Sequence, residues 1–459
     1  MENSAASLKW ASNIEFVVAL LGYSIGTPEF WRVPYLTYRN GGGIGIAVAV
    51  INCIYGVTTV TLTAWALEYF FNSFKAVLPW TNCDNDWNTP ACYRDGSDIV
   101  PRNMSTYNSS SENYTIMLWI EASFQTFLTL GPGWGGLMMM GAHNKFRTNS
   151  LRSSIISTTA TLTFGLVNGL VVFSVLGVMS EEIGVPIADM MTSGGFSIGF
   201  IAYPKALSYF PLPQLWCAIF YFLILLPGLD AMATLTEPFL MILEEIFPKL
   251  LKNRRILLLA VVSFVMFLLS LPLATQAGVY IFLLVDWYTG TWSVMLICMA
   301  ECIMFAWIYG THRIDRDVRL MLNRPLPAIV RISTAFIMPV FLTCLLVISV
   351  FTYKPPSFGD YNYPVYARAI GWCFTMASIL PALGYSVWVI VKAEGPFGQR
   401  IKHLARYTPR WIPADERAVE IYRDSERSAD LTWKQLFWFN LTGRGGIDIK
   451  DCGNSVPML

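Results

Sequence analysis

Two long apolar stretches of this chain are broken in the middle, and the breaks constrain the fold more than any other feature. The first is GYSIGTPEFWRVPY, residues 22–35; the second is LGPGWGG, residues 130–136. Gly22, Gly26 and Pro28 cannot continue an α-helix at normal stability. In lipid, unwound backbone survives only where it is buried in protein or lines a wet cavity. A single break is either a packing kink or a binding site. A pair of breaks in separate apolar runs is the sequence signature of a transporter whose solute and ion site lies between discontinuous helices.

Composition sets the surroundings. Hydrophobic residues make up 54% of the 459 and charged residues 14%, and the mean hydropathy is +0.47. Soluble domains carry roughly 25% charge, so the chain reads as an all-α polytopic membrane protein. A net charge of +1 points to neither nucleic acid nor an acidic partner. The 3 His and 9 Cys show no metal-ligand spacing. Most Cys sit inside apolar runs as small hydrophobes. Cys83 and Cys92 instead share a polar loop, where an extracellular disulfide is expected. The first apolar run has neither the basic flank nor the small-residue site of a cleavable signal peptide.

Apolar runs long enough to cross a bilayer number about nine: 14–36, 44–73, 116–142, 154–178, 214–245, 255–274, 279–310, 328–352 and 366–392. This gives an amino-terminal tail at 1–11, a transmembrane domain at 12–392 and a carboxyl tail at 393–459. The loop 75–115 holds three glycosylation sequons, at Asn103, Asn108 and Asn113, and is expected outside the cell. A fourth, at Asn440, falls in the tail and reads as a chance match. Alternate loops then hold Lys145, Arg147 and Arg152; Lys249, Lys252, Arg254 and Arg255; and Arg313, Arg316, Arg319 and Arg324. The loops between hold only Lys205 and Lys354. This follows the positive-inside rule and puts the carboxyl tail in the cytoplasm of a plasma-membrane protein. Two spans precede the outside loop, so either the amino terminus is outside or the first span does not fully cross. Residues 180–212 are too apolar for a free loop and are expected to dip back as a re-entrant hairpin. The amphiphilic tail, with Trp411, Trp433 and Trp438, either lies on the inner membrane surface or binds a partner.

These residues resemble the neurotransmitter:sodium symporter family. The similarity is carried by GYSIGTPEFWRVPY at 22–35 followed by NGGG at 40–43, AWAL at 64–67, and LPW at 78–80 ahead of Cys83. It continues through WNT at 87–89 ahead of Cys92, TLGPGWG at 129–135, NKF at 144–146, FIAYPKAL at 200–207 and GLD at 228–230. The resemblance implies an inverted-repeat transporter bundle with broken first and sixth helices. The family has twelve helices; its second, fourth and fifth have no visible counterpart here.

The resemblance also implies site residues. A first sodium site would use the Ser24 carbonyl, Glu29, Thr129 and Thr161; Glu29 and Thr161 stand where the family has Asn. A second would use Gly22, Ile25, Pro227, Asp230 and Ala231, with Ala231 lacking a side-chain ligand. Pocket positions are Tyr23, Gly26, Thr59, Leu128, Gly131 and Trp134. Gly26 stands where amine carriers place Asp, which favours an amino acid or related zwitterion. Thr59 replaces a Tyr, and Leu128 an aromatic lid. Arg32 and Asp286 match an external gate pair. Trp10 and Glu245 match an internal gate that lacks its Arg, since Ser7 stands there. Gln125 and Thr129 match chloride ligands, while Gly165 replaces a Ser; this incomplete set argues against chloride dependence.

Two readings follow. The first is a sodium-coupled symporter of an amino acid-like solute working by alternating access. The second is a non-transporting regulatory or scaffold protein, or a partner of related transporters in a homo- or hetero-oligomer; the departures and missing helices favour it. No catalytic constellation or cofactor loop suggests an enzyme.

Overall fold

The computed structural model describes residues 44–83 and 85, 148–183, 198–246, 254–353, 355–358, 361–397, 399–400 and 431–444. It also describes a few isolated positions, among them 133–135 and 422. Among these residues seven helical segments are long and apolar enough to cross a membrane. They coincide with seven of the expected runs; 14–36 lies outside the described residues, as does nearly all of 116–142.

The spans are α1 (Ile44–Asn72), α2 (Ser150–Ile183), α4 (Pro213–Ile246) and α5 (Arg255–Ser270), with a short α3 (Tyr203–Ser208) before α4. The next span is built from α6 (Gly278–Trp287) and α7 (Val294–Ile303), with π-helical turns at Tyr288–Ser293 and Met304–Gly310; Gly310, at φ +95°, breaks the helix ahead of the charged α8 (Thr311–Leu322). Then come α9 (Ala328–Ile332) and α10 (Met338–Phe351), again joined by a π-turn, and α11 (Val365–Lys392). A two-residue hairpin, β1 (Ser357–Phe358) with β2 (Tyr361–Asn362), links α10 to α11. A final helix, α12 (Trp433–Thr442), lies in the carboxyl tail.

α1 runs through the centre. Of its apolar window 61% is buried, against 11–22% for α2, α4, α5, α9–α10 and α11. Thr58, Thr59, Thr61 and Thr63 along it are all buried, although they point to more than one side. Each hydroxyl donates to a carbonyl three or four residues back, at 2.7–3.0 Å. This satisfies them without water, as the bilayer interior demands. A core of Ile51, Trp134, Leu235, Met295, Ile297 and Leu342 packs around α1.

Small and polar residues join α11 to the α6–α7 span. The ring of Tyr288 lies against Gly371, Thr375 donates to the Tyr288 carbonyl at 3.0 Å, and Ser378 donates to Ser293 at 2.9 Å. Close approach plus hydrogen bonds is how helices associate where lipid removes the hydrophobic drive.

Residues 198–208 are helical and closely packed. Tyr203 stacks on Phe220 at 4.7 Å, and Phe200 meets Tyr69 and Tyr221. Residues 184–197 of the expected hairpin lie outside the described residues. The tail helix α12 docks on α8 and α9. Asn440 is fully buried there; it accepts from Thr311 and its carbonyl accepts from Arg331. An oligosaccharide has no room at that side chain.

Candidate functional site

The second break is described at Gly133, Trp134 and Gly135. Gly133 has φ +83° and Gly135 φ +74°, left-handed values that strain any side chain. A Cβ on Gly133 would also lie 3.0 Å from Cys298 Sγ and 3.2 Å from the Val294 carbonyl. The helix break is therefore built in by glycine, and it turns Trp134 into the centre of the bundle.

Around Trp134 a small polar group assembles. Asn52 Nδ2 donates to the Trp134 carbonyl at 2.7 Å, one of the carbonyls the break frees. The Tyr55 ring lies 4.5 Å from the Trp134 ring. Tyr55 Oη donates to Asp286 Oδ1 at 2.8 Å, so α1 and α6 are tied at the same level. Two polar atoms here are buried and have no hydrogen-bond partner among the described residues: Asn52 Oδ1, an acceptor, and Trp134 Nε1, a donor. Leaving such groups unmade costs about 1–3 kcal/mol each.

One turn further along α1, Thr59 spends its proton on the Tyr55 carbonyl at 3.0 Å. Thr63 then faces α4. A Cβ on Gly228 would sit 2.7 Å from Thr63 Oγ1, so only glycine lets the two helices approach this closely. Two residues on is Asp230, half-buried near the middle of α4. Its backbone carbonyl, with that of Ala231, accepts from Thr234. Its carboxylate has no hydrogen bond or ion pair among the described residues. Carbonyl and carboxylate oxygens are the donors a hard cation takes.

The structure thus brings Trp134, Asp286 and Thr59 together about one face of α1, with Gly228 and Asp230 against the same helix through Thr63. Pro227 and Ala231 are half-buried beside Asp230. Thr161 stands on α2, half-buried; among the described elements α2 packs chiefly on α3, away from this group. Gly22, Tyr23, Ser24, Ile25, Gly26, Glu29 and Arg32 lie outside the described residues, as do Gln125, Leu128, Thr129 and Gly131. Cys83 is disulfide-bonded; Cys92, Asn103, Asn108 and Asn113 lie outside. Asn52 and Tyr55 were not foreseen. A signal existed: Asn52 is the one Asn inside an otherwise apolar and hydroxyl-bearing run, and polar side chains inside a membrane are functional by default.

Comparison with known proteins gives the family. The profile of the Sodium:neurotransmitter symporter family matches residues 8–44, 42–117 and 114–393. The chain belongs to this family. It is a transporter of a sodium-coupled class, not an enzyme. Among its relatives, the sodium- and chloride-dependent glycine transporter 1 of Xenopus laevis is 26% identical over 560 aligned positions, covering 88% of each chain. The sodium- and chloride-dependent taurine transporters of Bos taurus and Homo sapiens are 26% and 27% identical, covering 90% of this chain and 89% of theirs. These names carry chloride, so the sequence-based case against it finds no support in them. The aligned positions exceed the 459 residues of this chain; the relatives therefore contain stretches with no counterpart here.

Proposed function

We propose that the chain is a sodium-coupled symporter of a small amino acid or related zwitterion at the plasma membrane. The observation that carries this reading is the pair of orphaned buried atoms at the helix break. A zwitterion presents a donor, its ammonium, and an acceptor, its acid group. Asn52 Oδ1 and Trp134 Nε1 offer the complementary acceptor and donor. Glycine and taurine, carried by the relatives named above, are small molecules of this kind. Gly26, Tyr23, Thr59, Leu128 and Gly131 complete the proposed pocket.

Sodium would use the hard oxygens about Asp230, with Gly22, Ile25, Pro227 and Ala231. The unpartnered carboxylate supports this, because an intramembrane acid without a partner is expensive to keep. A first ion would use Ser24, Glu29 and Thr129; Thr161, expected with them, stands on α2 away from the Trp134 group. Chloride is restored as a coupled ion at Gln125 and Thr129. Arg32 and Asp286 form the external gate; Cys83 pairs with Cys92 in a glycosylated external loop at 75–115; and the tail 393–459 is cytoplasmic.

A second reading is favoured by one finding, the relatives' stretches that this chain lacks. If those are the family's second, fourth and fifth helices, the chain is a non-transporting regulator or a partner in an oligomer. Uptake of labelled glycine, taurine and amines in cells expressing the chain separates the two, with surface biotinylation alongside. Sodium-dependent uptake of a zwitterion is expected. Surface protein without uptake overturns the symporter reading.

A further inference from the structure

The tail helix α12 is three-sided. One face carries Leu436, Phe439 and Asn440, all buried, and docks on the span ends. Asn440 Nδ2 donates to the Ala306 carbonyl at 3.4 Å, and the Arg331 guanidinium lies 5.5 Å from the Phe439 ring. Both helix ends are secured. Thr432 and Gln435 form a reciprocal capping box, and Gly443 closes the carboxyl end at φ +72°. This is a formed and anchored element, not a loose tail.

A second face is aromatic and exposed. At 100° per residue, Trp433, Phe437 and Leu441 fall on one line with Trp438 beside it. They are 67%, 43%, 45% and 53% exposed. The third side holds Gln435 and Thr442, while Lys434 falls within the aromatic face, between Leu441 and Trp438, where its long stem lets the ammonium reach the headgroups. Four large apolar side chains held partly in water on a ten-residue helix would be a standing cost.

What covers them follows from their continuity with the spans. Phe437 packs against Phe336 at 5.5 Å and Trp307 at 6.3 Å, both on membrane-crossing helices. Phe336 lies eight residues into its span, or about 12 Å at 1.5 Å per residue. The exposed aromatic face therefore lies below the end of that span, beside Ile329 and Val330, which are themselves exposed. Trp amid Lys is the composition of the lipid headgroup boundary. The same pairing marks the end of α11, where Lys392 Nζ lies 4.4 Å from the Trp388 ring.

We propose that α12 is an interfacial helix: Trp433, Phe437, Trp438 and Leu441 sit in the acyl boundary of one leaflet, while Leu436, Phe439 and Asn440 hold the helix to the transporter. The leaflet is the cytoplasmic one if the tail lies as proposed above.

The test uses the full chain in nanodiscs of ordinary or brominated phosphatidylcholine. Tryptophan emission is recorded for the unmodified chain and for Trp433→Phe and Trp438→Phe, alone and together. Phe keeps the apolar bulk, so folding is preserved, and each difference signal reports one position. Each is expected to fall by about half or more in brominated lipid and to resist aqueous iodide. Absence of quenching by brominated lipid overturns the proposal, whether water covers the face, in which case iodide quenches, or protein does, in which case neither quencher acts. Sidedness is read separately, by an epitope after Leu459 that is reached only after permeabilisation. A wrong sidedness leaves the lipid quenching unchanged, so the two failures are distinguishable.

Discussion

The phenolic hydroxyl of Tyr55 reaches across from α1 to donate to Asp286 on α6 at 2.8 Å. A carboxylate assigned from sequence to an Arg gate has, among the described residues, a tyrosine as its partner. Hydrogen bonds to charged groups are worth about 1.5–3 kcal/mol. Tyr55→Phe is expected to lower uptake roughly tenfold, by the 1.4 kcal/mol-per-decade rule, with surface protein unchanged. Asp286→Asn should do the same, and the double variant should be little worse than either. Additive losses, read by uptake and biotinylation, would separate the two side chains.

Trp134→Phe keeps an aromatic ring but removes the orphaned donor. The KM for a zwitterionic solute should rise about tenfold with little change in maximal velocity or expression. An unchanged KM would take Trp134 Nε1 out of the solute site. Asn52→Leu should act in the same direction from the acceptor side.

These two residues also show where the sequence was legible. Periodicity and length located seven spans correctly, because bilayer thickness fixes the length of an apolar run regardless of its neighbours. The glycine-built break at 133–135 was equally plain, since few residues other than glycine take φ near +80°. Tyr55 was not legible. It sits in a helix with hydroxyls on several faces, so nothing local says which face meets α6. Asp286 was found by resemblance, but its partner depends on packing between residues 231 positions apart. The docking of α12 was hidden for a similar reason: Asn440 looked like a chance sequon, and its role exists only against Thr311 and Arg331.

Asp230→Asn preserves shape and removes charge. Sodium activation of uptake should shift to at least about tenfold higher concentration, while surface expression holds. Sodium titration of uptake checks this; an unmoved curve would remove Asp230 from the ion site.

Gly228→Ala should destabilise, although alanine is the better helix former by about 1 kcal/mol. The new methyl would lie 2.7 Å from Thr63 Oγ1. Thermal unfolding of the detergent-solubilised protein should fall by several degrees, and Thr63→Ala should restore part of the loss. Failure of that rescue would mean that the contact is not what excludes a side chain at 228.

Replacing chloride with gluconate at constant sodium should abolish most uptake. Full uptake in gluconate would return the chain to the chloride-independent expectation.

The π-turns at Tyr288–Ser293 and Met304–Gly310 have a mechanical meaning. The first is an extra residue stored inside a continuous ladder of hydrogen bonds, whereas the second ends at Gly310, whose φ of +95° breaks the helix ahead of α8. Such a bulge can pass along a helix one residue at a time, exchanging one bond for the next and exposing no backbone to lipid. α6, which carries Asp286, can therefore swivel relative to α7 without that stretch unwinding, while Gly310 uncouples α8, to which the tail is fastened. The rod between the two ends of the transporter behaves less like a strut than like a shaft with two couplings.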